Sequence, residues 1–206
     1  MARPSDPNRR MAILVAARDE FNARGFAGAR MDDIAARVGI SKASLYLNFA
    51  SKQAIFAAVV RDLIEQTLPE AIPPELADLP AEMLLRKFIT LAFTRLASAE
   101  LAFVPRVIIG EGMNFPDLAR FYHDEVVMRV LGIIESIIRH GIARGELACE
   151  APGLACRSIV GGILFGALWK IVFEPVGGDE LDVPAMARAH ADVLLNGLLV
   201  RKEMSL

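Results

Sequence analysis

Cysteine is almost missing from this chain. Cys149 and Cys156 are the two present in 206 residues, too few and wrongly spaced for a disulfide scaffold or a zinc site. They read as small apolar or loop residues suited to a reducing cytosol, where the chain is expected to reside. Aromatics are sparse at 7%, and β-branched/polar alternation is nearly absent, which leaves strands little support. What remains is an alanine-rich aliphatic mix, 54% hydrophobic, of the kind that packs helix on helix. The N-terminus is Arg/Asp/Pro/Asn-rich and lacks the apolar stretch of a secretory signal. The longest uncharged apolar run, Ser158–Trp169, is shorter than the roughly 20 residues that cross a bilayer, so no membrane partner is expected. The sequence shows no Ser/His/Asp set, no glycine phosphate loop and no metal-ligand spacing, so neither enzyme chemistry nor a cofactor is expected. His123-Asp124-Glu125 point in different directions on a helix with no ligand type at i+4, and His140 and His190 stand alone.

Net charge is also small, −2, which by itself argues against a generic nucleic-acid binder. The distribution reverses that argument: residues 1–67 carry +3 and residues 68–206 carry −5. The basic third suits a polyanion, and the acidic remainder would be repelled by one.

Within the basic third, residues 31–52 read as two short helices joined by a glycine turn, followed by the start of a third. Ile34, Ala35 and Val38 form one apolar stripe. Gly39 stands where that helix must stop and bend, and Ile40 plugs the space between the helices. Ser41 is a natural N-cap, and Leu45 and Phe49 bury the next helix at i and i+4. This is a helix-turn-helix pattern. The second helix leaves Lys42, Ala43, Ser44, Tyr46, Leu47 and Asn48 on or beside its outer face. Small Ala43 and Ser44 permit close approach to base edges, and Asn48 both donates and accepts in the major groove. Ala43 or Leu47 meets a thymine methyl. Lys42 and Lys52 are phosphate-neutralising charges, Tyr46 offers a hydroxyl at phosphate height, and Arg3, Arg9 and Arg10 are further phosphate candidates.

The stretch Asp33-Ile-Ala-Ala-Arg-Val-Gly-Ile-Ser-Lys-Ala-Ser-Leu-Tyr-Leu-Asn-Phe-Ala-Ser-Lys-Gln-Ala-Ile55 resembles the signature of the TetR/AcrR family of bacterial transcriptional repressors. It shares the Gly-hydrophobic-Ser-Lys turn, the Leu-Tyr pair and the Phe-x-Ser-Lys continuation. The resemblance is strong over about residues 7–67 and architectural beyond. It implies an all-α homodimer of about nine helices. Residues 7–67 would be the DNA-binding domain, and residues 68–206 a domain that binds a small effector and dimerises. Two departures touch the DNA face. Arg30 precedes Met31 where the family often has a capping Ser or Thr, and Arg30 would itself reach a phosphate or a guanine. Asn48 stands where the family often has His or Tyr.

Elsewhere, Asp6-Pro7 starts the first helix and Arg24-Gly25 stops it, with Phe26 expected to plug the three-helix core. After Lys52 a longer helix carries Ile55, Phe56, Val59, Val60, Leu63 and Ile64. Prolines at 69, 73, 74 and 80 place a boundary there. Helices are expected near 81–98, 101–112, 116–141, 152–174 and 184–203. The first of these should turn Leu84, Leu85, Phe88, Leu91, Ala92 and Leu96 inward, with Phe93 beside them. The stretch 152–174 is apolar all round, so both sides need cover. Gly161, Gly162 and Gly166 leave it a flat side for another helix. With 184–203, which carries Ala185, Ala189, Val193, Leu194, Leu198 and Leu199, it is expected to build a four-helix homodimer bundle. Two recognition helices then read a palindromic double-stranded operator. For the effector pocket that the resemblance implies, the candidate lining is bulky groups with a few polar ones: Phe88, Arg95, Phe103, Glu111, Phe121, Tyr122, Phe165 and Trp169. The readings from other classes are a helical interaction protein that kept the fold without DNA binding, and a helical enzyme.

Overall fold

The computed structural model describes residues 7–68, 76, 78–98 and 100–198. The expectations attached to Arg3, Asp6, Pro69, Pro73, Pro74 and Leu199 lie outside the described residues. Among those residues the fold is all-α, without strands. The helices are α1 Pro7–Gly28, α2 Met31–Val38, α3 Lys42–Asn48, α4 Lys52–Thr67, α5 Ala81–Leu96, α6 Phe103–Glu111 and α7 Pro116–Tyr122, then α8 Met128–Ala143, α9 Pro152–Leu168 and α10 Val183–Leu198. π-Helical turns occupy His123–Val127 and Trp169–Phe173.

The chain divides into two compact units. The first comprises the described residues of Met1–Thr67 and Ala99–His123. Its centre is aromatic. Phe21, Phe26, Phe56 and Phe103 are each 0% exposed. Phe56 meets Phe21, Phe26 and Phe103 edge-on at 5.4, 5.6 and 6.1 Å between ring centroids. Edge-to-face contact suits ring quadrupoles. The inclusion of α6 in this unit follows from Phe103, which brings α6 against α1. Phe103, expected at an effector pocket, is instead part of this aromatic core.

The helix breaks fall where backbone chemistry demands them. Gly25, at φ 70° and ψ −177°, interrupts α1 in a region essentially reserved for glycine. Gly39 ends α2 in the left-handed conformation at φ 70°, and its N–H reaches back to the carbonyls of Ala35 and Ala36. Ser41 caps α3, its hydroxyl accepting from the Ser44 N–H at 3.1 Å.

The second unit comprises the described residues of Leu68–Ser98 and Asp124–Leu206. Its core joins Leu85, Ile89 and Phe93 of α5 to Ile134, Ile137 and Ile138 of α8, Ile159 and Ile163 of α9, and Ala187, Ala191 and Leu195 of α10. The inward face of α5 follows the sequence expectation at Leu84 and Leu85, which are buried, and at Phe88, Ala92 and Leu96, which pack on the core; Leu91 departs from it and Ile89 is buried in addition. Ala81, Leu85, Ile89 and Phe93 are its deepest residues, while Leu91 is 41% exposed. Gly166 makes room for Phe93: a Cβ there would lie 2.5 Å from the Phe93 ring, so only glycine admits that ring against α9. His190 fills the space at Gly162 in the same way, 2.2 Å from where its Cβ would be. Two of the three glycines expected to receive another helix are therefore filled by side chains of their own unit. Cys156 is buried, its thiol donating to the Pro152 carbonyl at 2.9 Å and pushed up to about 11 by burial.

By length and composition alone, Pro152–Val176 is apolar enough to cross a membrane. Arg157 and Lys170 lie near its ends, so it runs past the uncharged stretch on which the sequence reading relied. Cys156, Ile159, Ile163, Gly166 and Ala167 on its inner side are core. Its outer side stays open: Leu154 is 67% exposed, and Leu164, Phe165, Val172 and Phe173 are also exposed. On α10, Val193 is 74% exposed.

Candidate nucleic-acid interface

Burial of two side chains decides what α3 shows to solvent. Leu45 is 0% exposed and Phe49 4%, so the rest of this short helix faces outward. Leu47 is 88% and Tyr46 44% exposed, and Lys42 and Ala43 are open as well. Leu47 and Tyr46 thus put an apolar and a phenolic group, consecutive in the chain, in the open on this face.

The polar groups on this face are held in place. The Lys42 ammonium lies 2.9 Å from Asp32 Oδ1, across the turn between α2 and α3. The hydrogen bond to Asp32 and its negative charge hold the ammonium above the usual lysine range. Asn48 donates from Nδ2 to the Ser44 carbonyl at 2.8 Å, which ties its amide along the helix while Ser44 keeps its hydroxyl. Arg30 is exposed in the residue before α2, with extended backbone and no side-chain cap, and Met31 beside it is half-buried. Arg10 stacks its guanidinium 4.5 Å over the Phe49 ring, so of the arginine pair on α1 it is engaged and Arg9 is exposed.

Because Lys42 is paired with Asp32 in the free protein, a phosphate must compete for it. Asp32→Asn is expected to tighten duplex binding by about two- to threefold at low salt, in line with the small worth of exposed ion pairs. The gain should shrink as salt rises; fluorescence anisotropy across a salt series measures it.

Lys52, expected as a phosphate contact, is engaged within its own unit. Its ammonium donates to the carbonyls of Ala27 at 3.1 Å and Ala29 at 2.9 Å, and it sits 4.7 Å over the Phe26 ring. Burial lowers it from the usual lysine range, against the pull of the Glu111 charge. Glu111, expected to anchor an effector, accepts instead from two backbone groups of the same turn: Phe26 N–H at 2.8 Å and Ala27 N–H at 2.5 Å.

Sequence reasoning also missed Glu20. It is 0% exposed, between Arg24 at 3.2 Å and Arg37 at 3.4 Å. Arg24 continues to Asp33 at 2.9 Å. This carboxylate braces α1 against α2, and nothing in its local sequence, between Asp19 and Phe21, marks it as interior.

The remaining effector candidates fall in both units. In the first, Phe121 lies under the Arg61 guanidinium at 5.0 Å, and the Tyr122 phenol is pushed up to about 12 by burial. In the second, Phe88 packs on the rim of the core, whereas Arg95 is exposed. Phe165, Trp169 and Phe173 form a ladder with ring centroids 6.2 and 5.6 Å apart. The Trp169 indole donates to the Asp179 carbonyl at 2.9 Å. The structure thus brings Phe165 and Trp169 together, and Phe103 with the phenylalanine core.

Comparison with known proteins matches two stretches of the chain, the second of which includes residues of both units. Residues 13–59 match the family model described as bacterial regulatory proteins, tetR family. Residues 83–193 match that of the AefR-like transcriptional repressor, C-terminal domain. The HTH-type transcriptional regulator RutR of Escherichia coli is 42% identical over 57 residues, 28% of this chain and 27% of RutR. The chain therefore spans about a quarter of that relative's length. The HTH-type transcriptional regulator SrpR of Pseudomonas putida is 23% identical over 164 residues, 78% of this chain and 74% of SrpR. Among solved structures, a TetR transcription regulator from Haloarcula marismortui superposes with a TM-score of 0.78 at 16% identity, covering 95% of this chain and 100% of that one. The transcriptional regulator FadR from Bacillus subtilis, in complex with stearoyl-CoA, gives 0.69 at 22% identity, covering 91% and 98%.

Proposed function

The chain belongs to the TetR family of bacterial regulatory proteins, and from that premise we propose that it is a DNA-binding transcriptional regulator that acts as a homodimer. In this reading it is a repressor, released from a palindromic operator by a small, largely apolar effector. Residues 7–67 read the duplex and residues 68–206 take the effector and dimerise. The observation that carries the proposal is the bare outer face of α3, with Leu47 at 88% exposure over a fully buried Leu45. Ala43, Ser44, Tyr46, Leu47 and Asn48 meet base edges and backbone; Arg30, Met31 and Lys42 flank them. Lys52 supports the turn rather than a phosphate.

Dimerisation is supported by the uncovered apolar side of α9 and its continuation, and by Val193 on α10. An apolar effector is supported by the acyl ligand of the Bacillus subtilis neighbour of like fold. In this reading the protein works in the cytoplasm, where the DNA it binds lies. Ligand releases DNA only through differential affinity for two conformers.

The test is a salt titration of duplex binding. Tyr46→Ala combined with Lys42→Ala should weaken binding about tenfold and lower the salt slope by about one, the signature of one lost phosphate contact. Equal affinity and slope in variant and wild type would move the DNA-reading surface off α3, and failure of the wild type to bind any duplex would assign the chain to the interaction-protein class.

A further inference from the structure

The end of α1 beyond its break at Gly25, together with Ala29 and Arg30, forms the α1–α2 turn, which is gripped from both sides by charged side chains from elsewhere in the same unit. Gly25 turns the chain at φ 70°. The next N–H groups, those of Phe26 and Ala27, have no helical partner behind them, because the break at Gly25 has removed it. Glu111 at the end of α6 supplies one carboxylate oxygen to each. The carbonyls that follow, those of Ala27 and Ala29, receive the ammonium of Lys52, the first residue of α4. Arg106, also on α6, donates to the Asn22 carbonyl at the end of the long α1 segment. Gly25 leaves just enough room: a Cβ there would stand 2.7 Å from Glu111 Oε1.

The turn has one downstream consequence. It ends at Arg30, whose carbonyl accepts the first helical bond of α2, from the Ile34 N–H at 3.2 Å. The path α2–Gly39–α3 is short, so α3 inherits whatever tilt the turn imposes. We propose that Glu111 is a positioning residue for DNA recognition: with Lys52 opposite, its carboxylate fixes the α1–α2 turn and thereby the angle at which α2 and α3 are presented to the duplex. The proposal rests on the DNA-binding reading above. Charge-assisted hydrogen bonds are shorter and stronger than neutral ones, so a carboxylate on two amides defines a turn better than water does. It also makes α6 the element whose displacement would be felt at α3.

Glu111→Gln offers a test in which two effects have opposite signs. Neutralising an acid in a DNA-binding unit tightens its hold on a polyanion if charge alone matters. Losing one of two acceptors, and turning an amide NH2 toward an N–H, loosens the turn and weakens binding if position matters. The probe is a duplex selected from a random-sequence pool by the wild-type protein. The expected results are about tenfold weaker binding with an unchanged salt slope, and hydrogen exchange at Phe26 and Ala27 at least about tenfold faster. Glu111→Asp, which keeps the charge on a shorter stem, should fall between.

Binding by Glu111→Gln as tight as wild type, or tighter, overturns the proposal while leaving the DNA reading intact. Failure of the wild type to select any duplex removes the DNA reading and the proposal together; faster exchange in the variant then marks a bond that serves stability alone. Should Glu111→Gln not fold, Lys52→Gln takes its place. Weaker binding at unchanged slope supports the positioning role, and a slope smaller by about one returns Lys52 to the phosphates and overturns it.

Discussion

A chain carrying Phe165→Asp and Val193→Asp sediments as a monomer and binds its selected duplex about a thousandfold more weakly than wild type. Both side chains are exposed in the single chain, Phe165 at 54% and Val193 at 74%. Placing carboxylates there costs the isolated fold little. In a dimer bundle of α9 and α10 the same carboxylates would be driven into an apolar seam without partners, where an unpaired charge is very expensive. The effect on DNA is larger than the loss of any base contact because each recognition helix reads only a few base pairs. Two linked helices gain from each other's effective concentration, and separated ones do not. Analytical ultracentrifugation at micromolar concentration and anisotropy on the same samples check the two halves. A double variant that remains a dimer would move the interface elsewhere on the molecule.

Phe56→Ala costs about 3–5 kcal/mol, the range for emptying a buried phenylalanine site. Phe56 is 0% exposed and meets three other rings, from α1, the α1–α2 turn and α6. Its loss opens a cavity where these elements converge. Collapse into the gap is limited, since Phe21 and Phe103 are already stacked at 6.5 Å. The first unit should lose its chemical-denaturation transition well before the second, so that one unfolding step becomes two. A loss below about 1 kcal/mol, or a single unshifted transition, would mean that this ring cluster is not what holds the unit together.

Much of the DNA-facing unit was legible because its signals are local. Gly39 and Ser41 are punctuation that works within three or four residues. The i, i+4 pair Leu45 and Phe49 sets the orientation of α3 without help from the rest of the fold. The roles of Lys52 and Glu111 were not legible for the opposite reason. Glu111 finds its partners 85 and 84 residues away in the chain. A lysine opening a helix after a recognition motif carries the same local signature whether it faces a phosphate or two carbonyls. Lys42 shows the intermediate case: its exposure was readable, but its pairing with Asp32 depends on how tightly the glycine turn folds α3 back on α2. In the second unit the face of α5 was legible apart from Leu91, but the depth of Phe93 depends on Gly166. A missing side chain on α9 sets the depth of Phe93, and periodicity within α5 carries no record of it. The apolar surroundings of 152–174 were read as needing cover on both sides. The structure fills one side with core and leaves the other open, which is what makes a second copy the natural occupant in the proposed dimer.

The central claim is that α3 lies in the major groove and does so twice on one face of the duplex. Methylation interference at guanine N7 on a duplex selected by the wild-type protein tests it most directly, because that atom lines the major groove. Two clusters of interference are expected, related by an inverted repeat, with centres about 10 base pairs apart or at a multiple of that spacing. A single cluster, or strong binding that N7 methylation leaves untouched, would contradict it.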